Sequence, residues 1–123
     1  MKNRWCGRFA ALLLCAALPS AAQAADDRAA DMVRLARSEG CFSCHAIDHR
    51  KVGPAYTAIA QRYAHDPDAV RILQDAILNG HQGSWGVIPM PAYAPDGDLN
   101  PQQAHDLAHW ILGLKPPGGD AKK

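Results

Sequence analysis

The sequence predicts an all-α domain of about four short helices. Four stretches repeat apolar residues at helical spacing, helix start and stop residues bracket them, and almost nothing alternates as a strand would. At 123 residues, 48% hydrophobic and 20% charged, the chain holds at most one domain. It is not a disordered, collagen-like or polytopic membrane sequence. Thirteen Lys and Arg oppose twelve Asp and Glu, which leaves no basic footprint for nucleic acid.

Residues 1–24 carry the three parts of a secretory signal. Lys2, Arg4 and Arg8 give a basic start, Phe9 to Leu18 an apolar run, and Ala22-Gln23-Ala24 an A-x-A cleavage site. Ten helical residues reach about 15 Å, half of a bilayer core, so the segment is read as a cleaved signal rather than a membrane anchor. The exported domain is then 25–123, with 116–123 a loose tail. It keeps ten basic and twelve acidic residues, a formal charge of −2. Cys6 and Cys15 leave with the signal, and Cys41 and Cys44 remain. In an oxidising compartment such a pair must be bonded to something.

The first helix is expected to start near Asp26 or Asp27, to carry Met32, Val33, Leu35 and Ala36, and to stop at Gly40. A short second helix follows Pro54, with Tyr56, Ile59, Ala60 and Tyr63 on one face. The third opens with Asp66-Pro67, shows Val70, Leu73, Ala76 and Ile77, and stops at Asn79-Gly80. The fourth opens with Asn100-Pro101. Ala104, Leu107, Ala108, Ile111 and Leu114 share one face, Trp110 lies beside them, and Lys115-Pro116 ends the helix. Between the third and fourth, Gln82 to Leu99 has neither helical period nor room for a hairpin. A long irregular loop in a compact domain is usually functional.

Cys41-Phe42-Ser43-Cys44-His45 is C-x-x-C-H, the attachment signal for c-type haem. On a helical turn Cys41 and Cys44 stand at i and i+3, so both sulfurs reach one porphyrin and form two thioethers. His45 follows directly, and its imidazole is delivered to the iron. A thioredoxin-type pair would need a βαβ setting. A closed zinc site would need more thiolates. A plain short disulfide leaves His45 without a role.

The second axial ligand must come from elsewhere. Met32 lies on the apolar face of the first helix, where methionine is usually core filler. Met90 lies in Ile88-Pro89-Met90-Pro91, whose prolines stiffen the chain around it. The rivals are His49, His65, His81, His105 and His109. His105 and His109 fall opposite the apolar face of the fourth helix, and His49 and His65 sit in charged turns. Met90 is therefore the expected ligand. His/Met ligation leaves no open site for a substrate, and the soft thioether favours ferrous iron. The expected function is one-electron transfer, and the chain is expected not to be an enzyme.

These residues resemble the class I cytochromes c, in particular the short bacterial monohaem proteins of the periplasm that include donors to nitrite reductase. The matching segments are Cys41–Asp48, Val52-Gly53-Pro54-Ala55-Tyr56, Ile77-Leu78-Asn79-Gly80, Gln82–Gly86 and Ile88-Pro89-Met90-Pro91. The resemblance implies the cytochrome c fold, with helices wrapped around one covalent haem c. It implies a Pro54 carbonyl that accepts from His45, and a Trp85 indole that donates to a haem propionate. It also implies a first and fourth helix that cross near a right angle, with Trp110 and Leu107 at the contact.

Two positions depart from the family. Tyr93 stands where an asparagine often bonds the ligand sulfur, and Ala76 where a basic residue often pairs with a propionate. His81 is the residue expected to supply that charge when protonated; its alternative is a solvated loop histidine. The implied partners are a quinol-oxidising cytochrome complex upstream and a terminal reductase or oxidase downstream, met by a monomer through the apolar surroundings of the haem edge at Val52, Ile88 and Pro89. The alternatives are a haem peroxidase or gas sensor from which Met90 dissociates, and a fixed subunit of a larger complex.

Overall fold

The computed structural model describes residues 20–93 and 97–116. Its elements are α1 (Ala21–Ser38), a 3-10 turn (Cys41–Ser43), α2 (Tyr56–Arg62), α3 (Ala69–Asn79) and α4 (Pro101–Leu112). The basic and apolar parts of the expected signal and the end of the expected tail lie outside the described residues. The only β-pairing among the described residues is an isolated antiparallel bridge between His81 and Met90. The four expected helices are thus all present, and the loop after α3 doubles back on itself despite lacking a hairpin signal.

Helix α1 starts five residues before Asp26, because Ser20 rather than an aspartate caps it and its side chain accepts from the Gln23 N–H at 3.3 Å. The alanines around the expected cleavage site are strong helix formers with no breaker before Asp26, so the helix runs through them. It ends where expected. The Gly40 N–H donates to the Arg37 carbonyl at 3.1 Å, and Gly40 adopts the left-handed region at φ 74°.

Helix α3 starts at Ala69, later than Asp66-Pro67 suggests. The Asp66 carboxylate accepts from the Asp68 N–H at 2.8 Å, closing an Asx-type turn ahead of the helix. Helix α4 starts as expected. Asn100 and Gln103 form a reciprocal capping box at 2.9 and 3.0 Å, with Pro101 in the first turn. It ends at Leu112, short of Lys115-Pro116, so Leu114 lies beyond the helix and packs against the core from there.

The core is in two clusters. One joins Ala36, Ile77, Leu99, Ala104 and Leu107; the other joins Tyr56, Ile59, Leu73, Ala108 and Ile111. Ala36 and Ala104 are fully buried, and small side chains there let α1 and α4 approach closely. Leu107 is part of that contact. Trp110 packs against both clusters and meets the Tyr56 ring edge-on at 5.5 Å. Met32 packs on the first cluster, as a core methionine should.

Because α4 supplies buried residues to both clusters, its cap matters to the whole fold. Asn100→Ala should cost about 1 kcal/mol of stability and Asn100→Asp much less. Urea unfolding of the haem-loaded protein checks this, with the slope unchanged if only the cap is affected.

Candidate haem site

The 3-10 turn carries Cys41, and Cys44 follows as its cap residue. The His45 N–H donates to the Cys41 carbonyl at 2.9 Å, which closes the turn under the histidine. Cys41 and Cys44 are half-buried and form no disulfide, and burial pushes the Cys41 thiol up.

His45 is buried, and its Nδ1 lies 2.8 Å from the Pro54 carbonyl oxygen. A carbonyl can only accept, so Nδ1 carries the proton and Nε2 is left with its lone pair for a metal. The 44–54 loop is shaped to bring that carbonyl in. The Gly53 N–H donates to Cys44 at 2.8 Å, and the Tyr56 N–H to Ala46 at 2.9 Å. Gly53 has no side chain for a steric reason: a Cβ there would sit 2.6 Å from His45 Cε1. On its other side His45 stacks against Tyr56, with ring centroids 5.1 Å apart and planes within 14°. Nothing local in the sequence pairs Tyr56 with His45, so that contact was not foreseen.

Met90 comes from the doubled-back loop. Its N–H donates to the His81 carbonyl at 2.8 Å and its carbonyl accepts from the His81 N–H at 3.2 Å. Gly80 makes this approach possible, since its φ is 77° and a Cβ would lie 2.7 Å from the Met90 carbonyl oxygen. After Pro91, the Tyr93 N–H reaches the Leu78 carbonyl at 3.1 Å, so the methionine segment is tied to the end of α3 on both sides.

The Tyr93 hydroxyl donates to the Glu39 carbonyl at the end of α1. Burial pushes that phenol up, so it donates across the neutral range. The hydroxyl is thus directed to the end of α1.

A cavity of about 430 Å³ is lined by Cys41, Cys44, His45, Pro54, Trp85 and Met90 together, so the structure brings all six expected residues to one place. The remaining wall is mostly apolar, and both core clusters contribute to it, Ile77 and Leu107 from one, Ile59 and Ile111 from the other. This volume falls in the usual range for ligand and cofactor pockets, roughly 300–1,000 Å³. Two thiols, one imidazole with a free nitrogen, and one thioether on an apolar wall fit a haem and little else. His81 also lines the cavity, but it is exposed and its Nε2 lies 2.7 Å from the Ser84 hydroxyl. His49 and His65 are exposed, and His105 and His109 pair with each other on α4 at 4.6 Å, away from the cavity wall.

The family model for cytochrome c matches residues 29–115, and the chain belongs to that family. It is 41% identical over 115 residues to cytochrome c-552 of Nitrosomonas europaea, covering 94% of this chain and all of the relative. It is 44% identical over 81 residues to cytochrome c-551 of Pseudomonas aeruginosa, covering 66% of this chain and 74% of that one. The crystal structure of wild-type Nitrosomonas europaea cytochrome c552 superposes with a TM-score of 0.63 at 40% identity, over 68% of this chain and 99% of that one. The fold is therefore the cytochrome c fold, and the cofactor is one c-type haem held covalently through Cys41 and Cys44. Electron transfer is the activity of this class.

The close fit between Gly53 and His45 gives a direct test. Gly53→Ala should keep the covalent haem, since both cysteines remain, but displace the imidazole. Haem staining after denaturing electrophoresis should be unchanged while the low-spin fraction of the oxidised visible spectrum falls. An unaltered spectrum would mean the ring has room to spare.

Proposed function

We propose that the chain is an exported one-electron carrier whose iron is held by His45 Nε2 and the Met90 sulfur. The observation that carries this is the placement of Met90: it lines the same cavity as His45, Cys41 and Cys44, on a segment fixed by two backbone hydrogen bonds to His81. The haem supplies the site that takes up and releases the electron. His45 and Met90 would hold the iron, and since protein contacts already fix both, little would rearrange between oxidation states. Pro54 keeps the His45 ring oriented and raises its basicity by accepting from Nδ1. Trp85, half-buried on the wall, is the expected donor to a propionate. A methionine tethered on both sides suits a permanent ligand better than one that leaves to admit peroxide or a gas, so the chain carries electrons without turning over a substrate.

Export to the periplasm is supported by the signal-like first 24 residues and by covalent haem chemistry. Among the described residues no helix is long and apolar enough to cross a membrane. Cleavage after Ala24 would remove Ser20 and the first turn of α1, and leave Asp26 and Asp27 beside the new terminus as the caps the sequence suggests. The partners are redox proteins, a quinol-oxidising complex upstream and a reductase or oxidase downstream, met by a monomer through an apolar face. Val52, Val87 and Ile88 are the large apolar side chains most exposed among the described residues, at 45%, 84% and 63%, and all three line the cavity mouth. An apolar rim beside the cofactor suits brief docking better than a charged ring does.

Met90→Ala should retain covalent haem, lose the sulfur–iron charge-transfer band of the oxidised protein, bind carbon monoxide when reduced, and show a lower potential. A variant that keeps the band would show that another side chain holds the iron. The docking face makes a second prediction. Bimolecular electron-transfer rates should change less than about tenfold between low and physiological salt, since charge-steered association would fall far more steeply.

A further inference from the structure

We propose that Arg50 is the fixed cation that meets a haem propionate in this chain, replacing the charge that Ala76 does not provide. The proposal rests on Trp85 marking the propionate end of the cavity. Haem carries two carboxylates on an otherwise apolar ring, and a carboxylate against an apolar wall needs a charged or hydrogen-bonding partner. Ala76 lines the cavity and offers neither. Among the Lys, Arg, Asp and Glu side chains of the described residues, Arg50 alone is on that wall.

The geometry around Arg50 is already set. Its Nη2 donates to the Trp85 carbonyl at 3.0 Å, which places the guanidinium at the same stretch of loop as the indole. A guanidinium has five N–H donors in a planar fork, so this bond leaves others for a carboxylate, and two parallel bonds to one carboxylate are the geometry it favours. No carboxylate among the described residues pairs with it. Its backbone belongs to the loop whose turn is closed by the Lys51 N–H on Gly53 at 3.2 Å and by the Gly53 N–H on Cys44, so the residue is tied to the turn that also aims His45. His81, the other basic side chain on the wall, is engaged with Ser84.

Arg62 provides the control. Its Nη1 donates to the Ser84 carbonyl at 2.6 Å and its guanidinium lies 4.6 Å from the Trp85 ring centroid. It therefore braces the same loop from outside the cavity wall. If Arg50 acted only as a brace, the two substitutions would behave alike.

The sign follows from charge. Ferric haem carries one more positive charge than ferrous, so a cation paired with the propionate disfavours the ferric form and raises the potential. In holoprotein equilibrated against a common redox mediator at low salt, Arg50→Gln should lower the equilibrium constant for reduction about two- to fivefold, the scale of a partly exposed pair. Arg50→Met should repeat the shift and Arg50→Lys should recover most of it. Arg62→Gln should move it much less, and near 1 M salt, where the Debye length is about 3 Å, the differences should shrink. Arg50 is exposed, so these changes leave the core intact. An unchanged potential in both neutral variants, or an equal shift in Arg62→Gln, would overturn the assignment. The oxidised spectrum separates this from the ligation reading. A missing sulfur–iron band in the wild type defeats His/Met ligation, whereas a present band with no shift in Arg50→Gln defeats Arg50 alone.

Discussion

The two core clusters share one cavity, and the fold depends on what fills it. Each cluster has five buried residues, three of the ten being alanine, and each gives side chains to the cavity wall. A small domain with so little buried apolar surface gains most from a large apolar group placed between its halves. Covalent attachment at Cys41 and Cys44 fixes one edge of that group to the turn after α1. Helices α3 and α4 give side chains to the wall of the same cavity. Binding site and core are thus the same space, which is why residues that position the haem also carry the packing.

The ligand side is built on backbone economy. His45 is held by a carbonyl nine residues away, a stacked tyrosine and the missing side chain of Gly53. Met90 is held by the paired backbone of His81, which the left-handed Gly80 brings close. Both side chains are thus fixed by protein contacts, and if they hold the iron as proposed, oxidation and reduction would demand little reorganisation. Tyr93 joins the two sides, since its backbone follows the methionine segment and its hydroxyl reaches the end of α1 beside the cysteine turn.

Much of this was legible in the sequence, and the limits have physical causes. The C-x-x-C-H motif, the Asn100-Pro101 helix start and the proline-flanked Met90 are local signals, because each chemistry is confined to a few consecutive residues. The helix starts were less secure. Alanine propensity carried α1 upstream past two good aspartate caps, and Asp66 closed a turn instead of capping α3. Contacts between distant residues were not legible at all. The Tyr93 hydroxyl and Glu39 are 54 residues apart, and Arg50 and the Trp85 carbonyl 35 apart. No periodicity records such pairs. The stacking of Tyr56 on His45 is the same kind of omission, since a buried aromatic on a short helix reads from sequence as core.

The proposed ligation holds the iron between one imidazole and one thioether. Iron K-edge X-ray absorption on the purified holoprotein reads that set of atoms directly, in both oxidation states. One sulfur and five nitrogen scatterers, unchanged in number between ferric and ferrous forms, is the predicted result. Six nitrogens, or a five-coordinate iron in either state, would contradict it.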